Sequence, residues 1–188
     1  DPQRMRVINL IGQPGAGKST LAAGLFYGMK SRKFNVELVT EYTKDMIYEG
    51  HSFVLDDELL LFSEKYKRIK RLSESVDWVI TDSPLLNSLF YSTDFGTIGD
   101  AFFRSVAERF DNCYVLVRRV VPYVAHGRMH SEEESDKVAD DIRRWLDANG
   151  ISYLEVAGDG EGVRQVLEHL FGPGAATANL DQELGLPA

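Results

Sequence analysis

Short apolar runs recur along the chain, and polar stretches separate them. The five runs share a high content of β-branched or aromatic residues and lie at residues 7–11, 36–39, 78–80, 113–117 and 153–156. Because such short, bounded runs are typical of buried strands, we predict a strand at each of them. Helical patterns fill most of the intervening segments, and strands that alternate with helices favour a parallel sheet covered on both faces.

The helical segments are predicted from the spacing of their apolar residues. They lie at about residues 18–32, 55–69, 100–110, 132–149 and 162–171. In the second of them the apolar residues recur at alternating spacings of four and three, so one face is predicted to carry Leu55, Leu59, Phe62, Tyr66 and Ile69. Residues 5–171 are therefore predicted to form a single α/β domain with a parallel five-stranded sheet.

Both ends of the chain are expected to lie outside this domain. Residues 1–4 precede Met5 and are interpreted as an artificial leader ahead of the natural start. Residues 172–188 are rich in glycine, alanine and proline and show little periodicity. This composition predicts a loosely held C-terminal tail.

Composition narrows the class of protein. Hydrophobic residues make up 44% of the 188 residues, which is enough to form a proper core. The net charge of −8 argues against broad electrostatic wrapping of nucleic acid, although a local basic site is still compatible with it. Cys113 is the single cysteine, so neither an internal disulfide nor a paired-cysteine zinc site is expected. No apolar run approaches the about 20 residues of a membrane span, and no signal peptide is recognisable, so we expect a cytoplasmic protein without a membrane partner.

The strongest chemical signal lies between the first predicted strand and the first predicted helix. It fits the phosphate-binding P-loop at every position, and its residues are Gly12, Gln13, Pro14, Gly15, Ala16, Gly17, Lys18, Ser19 and Thr20. The glycines allow backbone N–H groups to close around phosphate oxygens. Lys18 can reach the β- and γ-phosphates, the Ser19 hydroxyl can ligate Mg²⁺, and the helix N-terminus adds a positive dipole. We predict binding of a nucleoside triphosphate with Mg²⁺, with the choice between ATP and GTP left open.

Two acidic positions follow predicted strands. Asp82 comes directly after the third strand, at the sheet edge where ligands bind in parallel sheets, and is predicted to hold Mg²⁺ together with Ser19. Glu41 follows the second strand. A carboxylate there can act as the general base that removes a proton from a hydroxyl acceptor, whereas a phosphate acceptor needs no base. Glu41 is therefore the predicted base, and Asp45 is the alternative.

Arginines flank the fourth predicted strand and the segment that follows it. Arg118 and Arg119 are predicted to bind the nucleotide, and Arg128 is predicted to stabilise the transferring group. Arg128 lies within residues 119–131, a segment with proline and glycine but no helical stripe. That composition suits a mobile lid. The two histidines of the segment are interpreted as solvent-facing residues, since no third metal ligand accompanies them.

One basic run stands out in this acidic chain, and it consists of Lys65, Lys67, Arg68, Lys70 and Arg71. One interpretation is a solvated helix face, because most of these residues lie opposite the predicted apolar stripe. The other is a patch that steers a phosphate-bearing polymer or nucleotide to the protein. The sequence does not decide between them.

Taken together, these motifs resemble those of the nucleoside and nucleotide kinase branch of P-loop proteins. The run Glu41-Tyr42-Thr43-Lys44 is similar to the Glu-Tyr-Ala-Arg element after the second strand of ribosylnicotinamide kinases, and deoxynucleoside kinases carry a base glutamate in that neighbourhood. Two further runs resemble elements of small bacteriophage proteins described as AAA-type ATPases or kinases: Thr81-Asp82-Ser83-Pro84-Leu85-Leu86 and Gly127-Arg128-Met129-His130-Ser131-Glu132-Glu133-Glu134. Among such phage kinases are enzymes that phosphorylate 5-hydroxymethyluracil in DNA, a step in thymidine hypermodification.

This resemblance implies a P-loop kinase fold and transfer of the γ-phosphoryl group of ATP to a hydroxyl of a nucleoside-type acceptor. The expected acceptor is the 5-hydroxymethyl group of 5-hydroxymethyluracil in DNA, and a free nucleoside or nucleotide is the alternative. For a phage-encoded protein the location would be the host cytoplasm. An ATP-hydrolysing switch or assembly protein is the rival from another class, although the chain lacks the additional helical domain of ring-forming ATPases.

Overall fold

The apolar runs form the strands of one parallel sheet. In the computed structural model the described residues are 4–91, 95–120 and 132–174. Their strands are β1 (Arg6–Ile11), β2 (Val36–Val39), β3 (Trp78–Thr81), β4 (Asp111–Arg118) and β5 (Leu154–Ala157), in the order β2-β3-β1-β4-β5. The prediction of an α/β fold with five parallel strands in one sheet flanked by helices is confirmed.

The helices fall mostly where the periodicity predicts them. They are α1 (Lys18–Ser31), α2 (Tyr42–Tyr48), α3 (Glu58–Lys70), α4 (Asn87–Tyr91), α5 (Gly96–Ala107), α6 (Glu132–Ala148) and α7 (Gly160–Phe171), with a 3-10 helix at Ser52–Asp56. The sequence did not predict α2, α4 or the 3-10 helix. Each is seven residues or shorter, which is too short for a helical stripe to be recognised.

By their contacts, the described residues divide into two compact units. The first unit comprises the described residues within Asp1–Asn9 and Phe34–Cys113, and the second comprises those within Leu10–Lys33 and Tyr114–Ala188. The predicted lid lies outside the described residues from position 121 to 131, and so do positions 1–3 and 175–188. The proposed domain bounds of 5–171 therefore stay a prediction.

The core of the first unit forms around α3, α5 and the sheet. Its most buried members include Val79 of β3, Phe62 of α3 and Phe103 of α5, and the rings of Phe62 and Phe103 lie 4.5 Å apart. The predicted apolar face of α3 is partly wrong. Leu59 is 51% exposed, and the buried residues of the helix are Leu61, Phe62, Lys65 and Ile69.

In the second unit α1 packs closely against α7. A side chain at Gly24 of α1 would place its Cβ 2.7 Å from a methyl group of Val163 of α7, so only glycine allows this approach. Leu21 and Leu25 of α1 and Val166 and Leu167 of α7 are buried to within about 1% exposure.

None of the helices in the described residues has the length and hydropathy that a membrane crossing requires.

Candidate active site

The P-loop of the second unit connects the end of β1 to the first residue of α1. Gly15 and Gly17 have φ angles of 81° and 100°, in the left-handed region that glycine occupies without strain. The N–H of Ala16 donates to the carbonyl of Gln13 at 3.1 Å and closes a tight turn. Glycine conformations of this kind allow successive backbone N–H groups to turn toward an anion at a helix N-terminus.

Lys18 is held across this loop. Its Nζ donates to the carbonyl oxygen of Gly12 at 2.7 Å and to that of Gln13 at 3.3 Å. Since Lys18 is also the first residue of α1, its ammonium lies beside the positive end of the helix dipole. Both features concentrate positive charge at the loop.

The loop rests against the turn between β5 and α7. A Cβ at Gly158 would lie 1.9 Å from the carbonyl oxygen of Ala16, and one at Gly17 would lie 2.5 Å from the carbonyl oxygen of Gly158. Asp159 then caps α7, because its carboxylate accepts a hydrogen bond from the N–H of Gly162 at 3.1 Å. The two backbones are therefore in contact without intervening side chains.

The predicted nucleotide-binding arginines have different surroundings. Arg119 is 14% exposed and donates two hydrogen bonds to Asp136 of α6, at 2.9 and 3.1 Å. Gln13 of the P-loop donates to the same carboxylate at 3.2 Å. Arg118 is 58% exposed and lies 4.0 Å from Glu155. Arg128, the predicted lid arginine, lies outside the described residues.

A cleft of about 180 Å³ adjoins these arginines in the second unit. It is lined by the charged residues Arg118, Arg119, Asp136, Asp140, Arg143 and Glu155, together with Gln13 and apolar side chains. Arg143 donates to Glu155 at 2.9 Å, which raises the pKa of this arginine, so much of the lining charge is internally balanced.

The two predicted acidic residues of the first unit come from neighbouring strand ends. β2 and β3 are parallel, with Val39 opposite Thr81. This register places Asp82 opposite Thr40, and Glu41 is the next residue along the chain. Asp82 is 7% exposed, whereas Glu41 begins the turn into α2 with its side chain 35% exposed. The structure thus brings Asp82 and Glu41 to the same edge of the sheet.

Local contacts orient the Glu41 carboxylate. It accepts a hydrogen bond from the Thr43 hydroxyl at 2.5 Å and lies 3.9 Å from the Lys44 ammonium. Asp45, the alternative base, has a different partner, since Arg68 of α3 donates to it at 2.9 Å. Glu41 is consequently the better placed of the two.

Sequence reasoning did not single out Glu58 or Ser88, and it did not connect them with Glu41 and Lys65. We call these four polar residues around α3 the α3 cluster: Glu41, Glu58, Lys65 and Ser88. Ser88, which is fully buried, donates a short hydrogen bond to Glu58. Burial lowers the pKa of the Lys65 ammonium, and the negative charges of Glu58 and then Glu41 oppose this shift. The cluster combines Glu41 at the start of α2 with residues of α3 and α4, and no sequence motif connects them.

The predicted basic run is not a continuous surface. Lys65 is 8% exposed, so its inclusion in a surface patch is wrong. Arg68 contacts Asp45 and lies over the ring of Tyr42 at 4.9 Å. Lys67, Lys70 and Arg71 are exposed.

The predicted magnesium ligands have suitable chemistry. Ser19 is exposed in the first turn of α1, and Asp82 supplies a buried carboxylate. A hydroxyl and a carboxylate are the hard oxygen donors that Mg²⁺ prefers. Ser19 belongs to the second unit and Asp82 to the first.

A parallel α/β sheet with a glycine loop and lysine after its first strand defines a P-loop nucleotide-binding protein. More particularly, the chain belongs to the AAA domain family, whose model matches residues 7–162. No curated protein matches the chain.

Solved structures with a similar fold include the following two. The structure of deoxyadenosine kinase from M. mycoides with bound dATP is 20% identical, with a TM-score of 0.55 over 87% of this chain and 98% of that chain. The crystal structure of a protein designated APE1195 is 16% identical, with a TM-score of 0.52 over 94% of this chain and 98% of that chain.

Proposed function

We propose that the protein is an ATP-dependent kinase that transfers the γ-phosphoryl group to a hydroxyl of a nucleoside-type acceptor. The observation that carries this proposal is the register of β2 and β3, which places Glu41 and Asp82 at adjacent strand ends. A nucleotide-binding protein that only exchanges or stores nucleotide has no need for a half-exposed carboxylate at this position. A kinase that acts on an alcohol does, because the acceptor must lose its proton as the phosphoryl group arrives.

Each predicted site residue would have a separate role in phosphoryl transfer. Lys18 and the loop amides would hold the β- and γ-phosphates, and Arg118, Arg119 and Arg128 would add positive charge. The acceptor oxygen would form a bond to the γ-phosphorus while the bond to the bridging oxygen of ADP breaks. Glu41 would take the acceptor proton.

Ser19 and Asp82 would hold Mg²⁺. When bound, the ion neutralises charge on the β- and γ-phosphates. The buried setting of Asp82 supports this role, since a carboxylate excluded from water favours a nearby cation.

For the acceptor we propose the 5-hydroxymethyl group of 5-hydroxymethyluracil in DNA, with a free nucleoside or nucleotide as the alternative. The resemblance to phage kinases supports the first. The similarity in fold to a deoxyadenosine kinase supports a nucleoside-type acceptor in general. Docking of DNA on α3 would depend on Lys67, Lys70 and Arg71, since Lys65 is buried and Arg68 pairs with Asp45.

Membership of the AAA domain family favours one rival function, an ATP-hydrolysing switch without an acceptor. The two functions differ in the fate of the γ-phosphate. A kinase transfers it to an acceptor, whereas a switch releases it to water, at a rate that a partner would stimulate.

The deciding experiment is transfer of labelled γ-phosphate from ATP to a panel of acceptors. The panel contains duplex DNA with and without 5-hydroxymethyluracil, free nucleosides and nucleoside monophosphates, and the Lys18→Ala variant serves as the inactive control. Label in the modified DNA alone would support the DNA-base kinase, and label in a small acceptor would support the metabolite kinase. Release of inorganic phosphate without any labelled acceptor would contradict the kinase proposal.

A further inference from the structure

Lys65 is an unusual lysine, because it lies on the buried face of its helix. It is 8% exposed and shares that face with Phe62 and Ile69, which belong to the core of the first unit. Lysine is among the residues least often buried, since removing an ammonium from water is costly unless an anion compensates for it. A buried lysine therefore requires an explanation.

The acidic neighbours of Lys65 are engaged with other side chains. Glu58 accepts a hydrogen bond from Ser88, and Glu41 accepts one from Thr43. Within the described ranges 4–91, 95–120 and 132–174, no hydrogen bond or ion pair joins the Lys65 ammonium to another residue. Glu58 and then Glu41 act on it only through longer-range electrostatic attraction.

The direction of the side chain follows from helix geometry. Side chains of an α-helix lean toward its N-terminal end, which brings the Lys65 ammonium toward Glu58, two turns earlier in α3. Its second acidic neighbour is Glu41, the proposed base. Arg68, one turn after Lys65 in α3, lies over the ring of Tyr42, the residue after Glu41, so this part of α3 packs beside the start of α2. Lys65 therefore lies in the neighbourhood of the Glu58 and Glu41 carboxylates in the first unit.

We propose that Lys65 binds the phosphoryl acceptor by donating a hydrogen bond to an oxygen next to the hydroxyl that Glu41 deprotonates. This inference rests on the proposed kinase function and extends it to the choice of acceptor. An ammonium carries donors only, so it matches a carbonyl or hydroxyl oxygen and disfavours an amino group. With the acceptor in place, its oxygen would replace water as the hydrogen-bond partner of the Lys65 ammonium.

This chemistry selects among acceptors. In 5-hydroxymethyluracil the carbonyl oxygen O4 lies beside the hydroxymethyl group, whereas 5-hydroxymethylcytosine carries an amino group there. In a free nucleoside a neighbouring sugar hydroxyl would take the same place. Both kinds of phosphoryl acceptor need an oxygen that can accept a hydrogen bond next to the reacting hydroxyl.

The test compares Lys65→Met with the wild type on the acceptor that the wild type labels. Lys65→Met keeps the length of the side chain and removes its charge, Lys65→Arg keeps the charge, and Lys137→Met on α6 is the exposed control. We expect Lys65→Met to lower kcat/KM for the acceptor about 10- to 100-fold, as for loss of a charged hydrogen bond, with KM for ATP unchanged. Lys65→Arg should restore part of the activity, and Lys137→Met should match the wild type.

A second measurement uses binding alone. With a non-hydrolysable ATP analogue present, the acceptor should raise the Tm of the wild type and of Lys137→Met but not that of Lys65→Met. If Lys65→Met does not fold, Lys65→Gln is measured in the same way. If the wild type acts on a modified base in DNA, we expect it to prefer 5-hydroxymethyluracil over 5-hydroxymethylcytosine.

The outcomes separate the two proposals. Full acceptor kcat/KM in Lys65→Met, or an unchanged Tm response to the acceptor, would overturn the role of Lys65 and leave the kinase function intact. A preference for the amino-bearing base would also overturn it. If the wild type labels no acceptor, the proposed function fails, and the acceptor role of Lys65 fails with it.

Discussion

Arg68 of α3 donates a hydrogen bond to the carboxylate of Asp45 in α2, at 2.9 Å, and its guanidinium also lies over the ring of Tyr42. This contact joins α3 to α2 within the first unit. It also distinguishes the surroundings of two acidic residues that lie four positions apart, Asp45 and Glu41. Asp45 is paired with a cation at hydrogen-bond distance, whereas the neighbouring Glu41 accepts a hydrogen bond from the Thr43 hydroxyl and lies 3.9 Å from the Lys44 ammonium.

Replacing Glu41 with Gln is expected to lower phosphoryl transfer strongly and to leave ATP binding unchanged. The amide cannot take a proton, and loss of a general base typically costs about 10²- to 10⁴-fold in rate. Steady-state transfer assays and calorimetric titration with an ATP analogue measure the two quantities. An equal loss of ATP affinity would remove Glu41 from the role of base.

Asp45→Asn should behave differently. The Arg68 contact becomes weaker, so we expect a loss of at most about 1 kcal/mol in the free energy of unfolding, as for a partly exposed ion pair. Turnover should stay close to that of the wild type. Urea denaturation and the transfer assay check this, and a loss of turnover as large as that of Glu41→Gln would make Asp45 the base instead.

Lys18→Ala should abolish transfer. Its ammonium is the cation that the P-loop holds across Gly12 and Gln13, and removing a preorganised charge from a transferring phosphate costs about 100-fold or more. The circular dichroism spectrum should stay that of the wild type. Activity within a few-fold of the wild type would show that the loop is not the site of transfer.

Gly158→Ala tests the backbone contact beneath the P-loop. The added Cβ would meet the carbonyl oxygen of Ala16 at 1.9 Å, so one backbone has to move, at a cost of about 1–3 kcal/mol in stability. We expect ATP affinity to fall as well. Gly150→Ala is the control, because no atom lies within 4 Å of its added Cβ, although Gly150, unlike Gly158, has a positive φ. It should lose stability through backbone strain and keep its ATP affinity, and equal affinities in the two variants would contradict the contact.

The lowered pKa of Lys65 predicts a dependence of stability on pH. The ammonium titrates at 10.5 in its ordinary setting and below that value in the folded protein, chiefly because it is buried. Between the two values the unfolded chain binds more protons than the folded one, so the free energy of unfolding gains a contribution that rises with pH. Lys65→Met lacks this contribution. Its stability advantage over the wild type should be largest near neutral pH and should shrink as the pH approaches 10.5.

Urea denaturation of both proteins at several pH values measures this difference, and the other titrating groups cancel in the comparison. A constant difference between the two curves would contradict the lowered pKa of Lys65. A lower stability of Lys65→Met at neutral pH would indicate that the ammonium is compensated in the folded protein.

The strands could be predicted because their signal is local. The second apolar run, 36–39, coincides with β2, and the run at 113–117 lies inside the longer β4, Asp111–Arg118. A buried strand needs consecutive apolar residues, which can be read directly from the sequence. The P-loop is local as well, since its turn, lysine and helix start are contiguous.

The face of α3 could not be predicted because burial depends on the packing of other elements. A periodic pattern counts apolar residues, so it included Leu59, which is exposed, and assigned Lys65 to the basic run, although it is buried. Likewise, the partnership of Ser88 with Glu58 joins residues that are far apart in the chain. The spacing of residues in a single sequence does not reveal contacts of this kind.

The direct contact between Gly17 and Gly158 links the turn between β5 and α7 to the conformation of the P-loop. Neither residue has a side chain that could adjust, so a displacement of one backbone must be followed by the other. Occupancy of the loop by phosphate should therefore alter amide hydrogen exchange at the turn between β5 and α7. Ligands could then be screened by a signal from a peptide fragment that does not itself contain any P-loop residue.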